Sequence, residues 1–136
     1  MHCVYIMKLH LKHPIFDILS AYTDIDEFYV CGGNIRNQII NGDGGKDIDI
    51  FINCTPRQLY DLIIYLNKYG YTDYGQYGSP RFYLKCDDEH YVDLVPFYNF
   101  VVSQNPIQNI NDLLTNFDFT ANAIAVNIKT GEMFDP

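Results

Sequence analysis

Apolar residues recur along this chain at two periods, and the alternation between them sketches the fold. Residues 28–31, Phe-Tyr-Val-Cys, have the β-branched and aromatic content of a buried strand. The run Asp47-Ile48-Asp49-Ile50-Phe51-Ile52 alternates polar and apolar positions, as a half-buried strand does. Helical spacing appears where Pro14 opens a segment carrying Ile15, Phe16, Ile18, Leu19 and Tyr22, closed by Asp24-Ile25-Asp26. It appears again at Ile35, Ile39 and Ile40, and at Leu59, Leu62, Ile63 and Leu66, a stripe that starts from the N-cap and proline pair Thr55-Pro56 and ends near Gly70. Residues 81–86 and 91–97 read as two strands of a hairpin turned by Asp87-Asp88-Glu89. A short helix over 107–114 precedes a last hairpin, 123–127 with 132–134, turned by Lys129-Thr130-Gly131. Residues 1–12 alternate weakly, as an edge strand or a lead-in, and the tyrosine-rich segment 70–80 reads as a strand end and loop with structural more than base-binding tyrosines. These elements predict an α/β (α+β) fold, a mixed, mostly antiparallel sheet of about five strands with helices packed on one face.

Composition narrows the function classes. With 136 residues, 48% of them hydrophobic, the chain suits one domain, divided into a lead-in and first helix over 1–26 and a core over 27–136. Nine Lys and Arg against a net charge of -8 argue against RNA binding through a basic surface of its own. Cys3, Cys31, Cys54 and Cys86 are widely spaced without a Cys-x-x-Cys, which predicts reduced thiols in the cytoplasm and argues against structural zinc. No apolar run has membrane-spanning length, and the N-terminal residues lack a signal-peptide core.

The chemistry concentrates in one stretch. A strand, the Gly32-Gly33 turn and a helix start follow one another, so backbone N–H groups are placed to attract an anion that the glycines let approach. Asp47 and Asp49 share one strand face, and two carboxylates so placed are best tolerated with a divalent cation between them. Mg²⁺ is the natural candidate, because it takes oxygen ligands and completes its shell with water and phosphates. The glycine-rich loop 41–45 between helix and strand reads as a connector rather than a phosphate cradle.

Gly32-Gly33-Asn34-Ile35-Arg36 with Lys46-Asp47-Ile48-Asp49, then Asp118-Phe119-Thr120-Ala121-Asn122-Ala123-Ile124-Ala125 with Thr130-Gly131-Glu132-Met133-Phe134-Asp135-Pro136, form two blocks at a domain-sized separation. The pair resembles the head domain of the CCA-adding tRNA nucleotidyltransferase and bacterial poly(A) polymerase family, over about residues 27–136. What the resemblance implies is a nucleotidyltransferase that moves NMP from an NTP to a hydroxyl, on tRNA or another acceptor, using two Mg²⁺ ions. It assigns Asp47, Asp49 and Asp93 to metal and catalysis, Asp93 being the third carboxylate that the superfamily supplies from a neighbouring strand. It assigns Gly32, Gly33 and Arg36 to the triphosphate, and makes Arg81, Asp118 and Asn122 further nucleotide-binding candidates.

Two departures open a second reading. The family's Arg-Arg pair before the Asp-Phe-Thr block is Asn116-Phe117 here, and the neck, body and tail that follow the family's head domain have no counterpart in these 136 residues. The alternative is therefore a head-domain derivative that acts as a binding, regulatory or structural protein; in the enzyme reading, a protein partner is expected to supply acceptor binding.

Overall fold

The computed structural model describes residues 5–6, 14–31, 48–74, 79–85, 87–99, 101–102, 105–116 and 125–134. The helix expected around Ile35–Ile40, the Gly32-Gly33 turn and most of the Asp118 block lie outside them. The described strands are β1 (Tyr5–Ile6), β2 (Phe28–Cys31), β3 (Ile48–Ile52), β4 (Gly70–Tyr74), β5 (Pro80–Leu84), β6 (Asp87–Pro96), β7 (Val101–Val102), β8 (Asn105–Pro106), β9 (Ala125–Asn127) and β10 (Glu132–Phe134). The described helices are α1 (Ile15–Ser20), α2 (Pro56–Leu66) and α3 (Ile110–Asn116), with a 3-10 turn at Phe97–Asn99.

Among the described residues the main sheet has eight strands, in the order β1-β10-β9-β2-β3-β6-β5-β4, and β7 pairs with β8 apart from it. It is larger than the five or so strands expected, because the weak N-terminal alternation supplies edge strand β1 and the start of the tyrosine-rich segment supplies β4, beside the two hairpins, β2 and β3. Among the described strands only β3 and β6 pair in parallel, and α2 lies in the crossover between them. The acidic run Asp87-Asp88-Glu89, expected to turn the β5–β6 hairpin, instead begins the ten-residue β6: Leu84 pairs with Asp87, and an irregular register takes up the offset.

Helix α2 starts where the sequence places it, and a reciprocal cap explains why. The Thr55 hydroxyl accepts from the Gln58 N–H at 3.1 Å, while the Thr55 N–H donates to Gln58 Oε1 at 2.9 Å. Leu59, Leu62 and Leu66 then bury one stripe against the sheet. The Tyr65 hydroxyl donates to the Ile18 carbonyl at 2.9 Å, tying α2 to α1. Together the two helices cover a core of Phe28, Val30, Ile48, Ile50, Ile52, Phe82, Val92 and Leu94.

Strand alternation puts the intervening residues on the opposite face. There Tyr29, Phe51, Phe97 and Ala125 pack with Ile110, Leu113 and Leu114, so α3 closes the second face over β9, β2 and β3. Helices thus lie mainly on one face, as expected, with one short helix added on the other. At the far end, Gly131 takes φ 77° in the β9–β10 turn, a left-handed conformation suited to glycine. Its N–H donates to the Asn127 carbonyl at 2.8 Å.

Candidate active site

The parallel register of β3 and β6 fixes the first two members of the site. Ile48 lies opposite Val92 and Ile50 opposite Leu94, and all four are buried under the helices. Asp49 lies opposite Asp93, which turns both carboxylates to the second face, on adjacent strands about 5 Å apart. Asp49 is exposed, whereas the Asp93 side chain keeps 24% of its surface accessible. Asp93 thus faces away from the buried Val92 and Leu94, onto a partly wet surface.

Strand β5 supplies the counter-charge. Arg81 lies opposite Asp93 in the antiparallel register, and its Nε donates to Asp93 Oδ1 at 2.9 Å. The guanidinium also sits 3.8 Å from the centroid of the Tyr91 ring. Its hydrogen bond to Asp93, chiefly, raises the arginine's pKa beyond its ordinary value, so the charge on Arg81 is permanent. Asp73 on β4 pairs with Arg81 in turn, so one row crosses four strands as Asp49, Asp93, Arg81, Asp73. Of the nine site residues expected from the sequence, the structure brings Asp49, Asp93 and Arg81 together; Gly32, Gly33, Arg36, Asp47, Asp118 and Asn122 lie outside the described residues.

The donor set fits a hard cation. Carboxylate oxygens from neighbouring strands on one accessible face are the ligands Mg²⁺ prefers, and water and phosphate complete its shell. Among the described residues no three His, Cys, Asp or Glu side chains form a metal-binding group, and Asp47, the expected partner of Asp49, is outside that set. Cys54 is no nucleophile for this site: burial pushes its thiol up to about 12, leaving it protonated at neutral pH. A cleft of about 220 Å³ between Pro56, Tyr60, Tyr74 and Pro96 opens beside α2, not at the carboxylates.

A second row lies on the same face, and it includes Tyr71 from the segment whose tyrosines the sequence suggests are structural. Tyr91, Tyr83 and Tyr71 stand side by side on β6, β5 and β4, with ring centroids 6.0 Å apart for the first pair and 5.0 Å for the second. The signal was present as tyrosines at alternate positions from Arg81 and Asp93, but it becomes a row only once the strand register is known.

A likeness to solved structures accompanies this geometry. A CCA-adding enzyme in an apo form superposes with a TM-score of 0.64 at 21% identity, over 89% of this chain and 28% of that one. The fold is shared with about a quarter of a CCA-adding enzyme's chain. The Thermotoga maritima CCA-adding enzyme complexed with tRNA gives 0.57 at 22% identity, over 81% of this chain and 25% of that one. In sequence, the multifunctional CCA protein of Stenotrophomonas maltophilia strain K279a is 26% identical over 116 residues, 81% of this chain and 27% of that relative. No protein-family profile matches the chain. The chain thus spans about a quarter of the length of the CCA-adding proteins it resembles. Among the described residues, no helix is long and apolar enough to cross a membrane.

Proposed function

We propose that this chain is a nucleotidyltransferase head domain that transfers NMP from an NTP to a hydroxyl, at an RNA 3′ end such as that of tRNA or on another acceptor. The observation that carries the reading is the register of Asp49 against Asp93 on an accessible sheet face, with Arg81 bonded to Asp93. Likeness to CCA-adding enzymes, some of them solved with ATP or with CTP, supports it. In this reading Asp47, Asp49 and Asp93 hold two Mg²⁺ ions, which when bound supply Lewis-acid stabilisation of the phosphates. Gly32, Gly33 and Arg36 grip the triphosphate, with Asp118 and Asn122 beside the nucleotide. The acceptor oxygen bonds to the α-phosphorus, the bond from that phosphorus to the pyrophosphate oxygen breaks, and the hydroxyl proton passes to solvent water. Arg81 holds Asp93 in place and carries positive charge toward the leaving group. A cytoplasmic setting suits the free thiol of Cys54.

One observation favours a second reading. Asp93 is already neutralised by Arg81, as it would be in a head-domain derivative that has given up its metal and serves as a binding or regulatory subunit. Calorimetry separates the two. The enzyme reading expects Mg²⁺-dependent binding of an NTP at about micromolar Kd, lost in Asp47→Asn/Asp49→Asn, together with metal-dependent transfer of labelled NMP to RNA. A folded wild-type protein that binds none of the four NTPs would sink it and send the search to protein partners.

A further inference from the structure

A tyrosine row crosses three strands on the carboxylate face. Tyr71 and Tyr83 are stacked at 5.0 Å with planes 13° apart, Tyr91 follows at 6.0 Å, and the Arg81 guanidinium lies 3.8 Å over Tyr91. The series thus begins at the cation bonded to Asp93 and ends at β4, the edge of the sheet. Tyr71, the outermost ring, is 50% exposed. Two strand spacings and one side-chain repeat separate it from Asp93, roughly 12 Å. The same second face over β9, β2 and β3 buries its aromatics in a core; here Tyr83 and Tyr91 are half-buried and Tyr71 is exposed.

We propose that Tyr71, Tyr83 and Tyr91 form a stacking platform for the unpaired bases of a single-stranded nucleic-acid acceptor, one whose end reaches the Asp49–Asp93 pair. This rests on the nucleotidyltransferase reading and names its substrate class. Aromatic faces accept any base, so stacking supplies affinity that does not rest on charge in a chain of net charge -8. Arg81 on β5 and Lys85 just past its end are the cations of this segment, so few phosphates are contacted. Binding is therefore expected to depend weakly on salt, with a log–log slope of about -0.7 to -1.4 for one or two contacts.

The test is fluorescence anisotropy with labelled RNA hairpins, blunt or carrying a 3′ tail of about four nucleotides, in EDTA without NTP. The tailed hairpin is expected to bind about tenfold or more tightly than the blunt one. Tyr71→Ala should lose roughly tenfold of that affinity, while Tyr71→Phe, which keeps the ring, should stay within about twofold. The half-exposed position of Tyr71 leaves the fold intact in both variants, which circular dichroism checks. Equal binding of tailed and blunt hairpins, or equal affinities of wild type and Tyr71→Ala, would overturn the proposal. So would loss of NTP binding in Tyr71→Ala with the tail preference unchanged, since the ring would then serve the nucleotide. Tail binding that needs Tyr71 in a protein that binds no NTP would retain the platform and reject the enzyme. NTP binding with no tail preference would do the reverse.

Discussion

The second face of the sheet is two surfaces made by one rule. Over β9, β2 and β3 the outward positions are Ala125, Tyr29 and Phe51, sealed by Phe97 and α3. Over β6, β5 and β4 they are Asp93, Arg81, Asp73 and three tyrosines. Both surfaces have the same buried core behind them, so the strands need no help from the second face to form. Where an overlying element arrives, the alternation is used for packing; where the described residues bring none, it is free to carry charge. Even the sealed half shows the cost of closing a polar group in: burial, with the Glu27 hydrogen bond at 2.7 Å, drives the Tyr29 phenol far above its ordinary range.

The largest effect that would test this division is expected at Phe97. Its ring is 1% exposed and stacks on Tyr29 at 5.9 Å, so Phe97→Ala opens a cavity in the sealed half. A loss of about 3–5 kcal/mol in urea unfolding is expected. A loss near zero would mean that α3 and the 3-10 turn merely rest on the sheet. At the open end, Gly70 starts β4 so close to β5 that an added Cβ would stand 1.9 Å from the Tyr83 carbonyl oxygen. Gly70→Ala therefore has to push the edge strand away, at a cost of about 1–3 kcal/mol. Hydrogen exchange should localise that loss to β4 and β5 and leave β2 and β3 protected. Uniform loosening would show that the two halves form one cooperative unit.

What the sequence disclosed follows the same division. The family resemblance singled out Asp93, and the alternation Val92, Asp93, Leu94 fits the face it takes, because Val92 and Leu94 are buried under the helices. Thr55-Pro56 and the leucine stripe placed α2, since a cap and a period are local properties. Asp87-Asp88-Glu89 misled because three acidic residues resemble a turn, while the pairing of Leu84 with Asp87 is decided by a partner strand. Nor could Ile110, Leu113 and Leu114 show which face they cover, since that depends on contacts with residues as distant as Tyr29. The tyrosine row was invisible for the same reason: Tyr71, Tyr83 and Tyr91 meet only through two hairpin registers.

The smallest expected effect asks whether ion pairs on the two kinds of surface differ. On the outside of α2, Arg57 Nε lies 3.4 Å from Asp61 Oδ2, with side chains 81% and 41% exposed. Such a pair at i, i+4 contributes about 0.3–0.5 kcal/mol in a double-mutant cycle and fades as salt screens it. Arg81 and Asp93 are closer, at 2.9 Å, less exposed, at 33% and 24%, and the guanidinium is braced on Tyr91. Their coupling should exceed that of Arg57 and Asp61 and survive higher salt, because a guanidinium held by a ring sacrifices less side-chain freedom on pairing. Equal couplings that vanish together in salt would make the open half as wet as the outer side of a helix. Arg81 would then be an ordinary surface arginine, with no preorganised role beside the carboxylates.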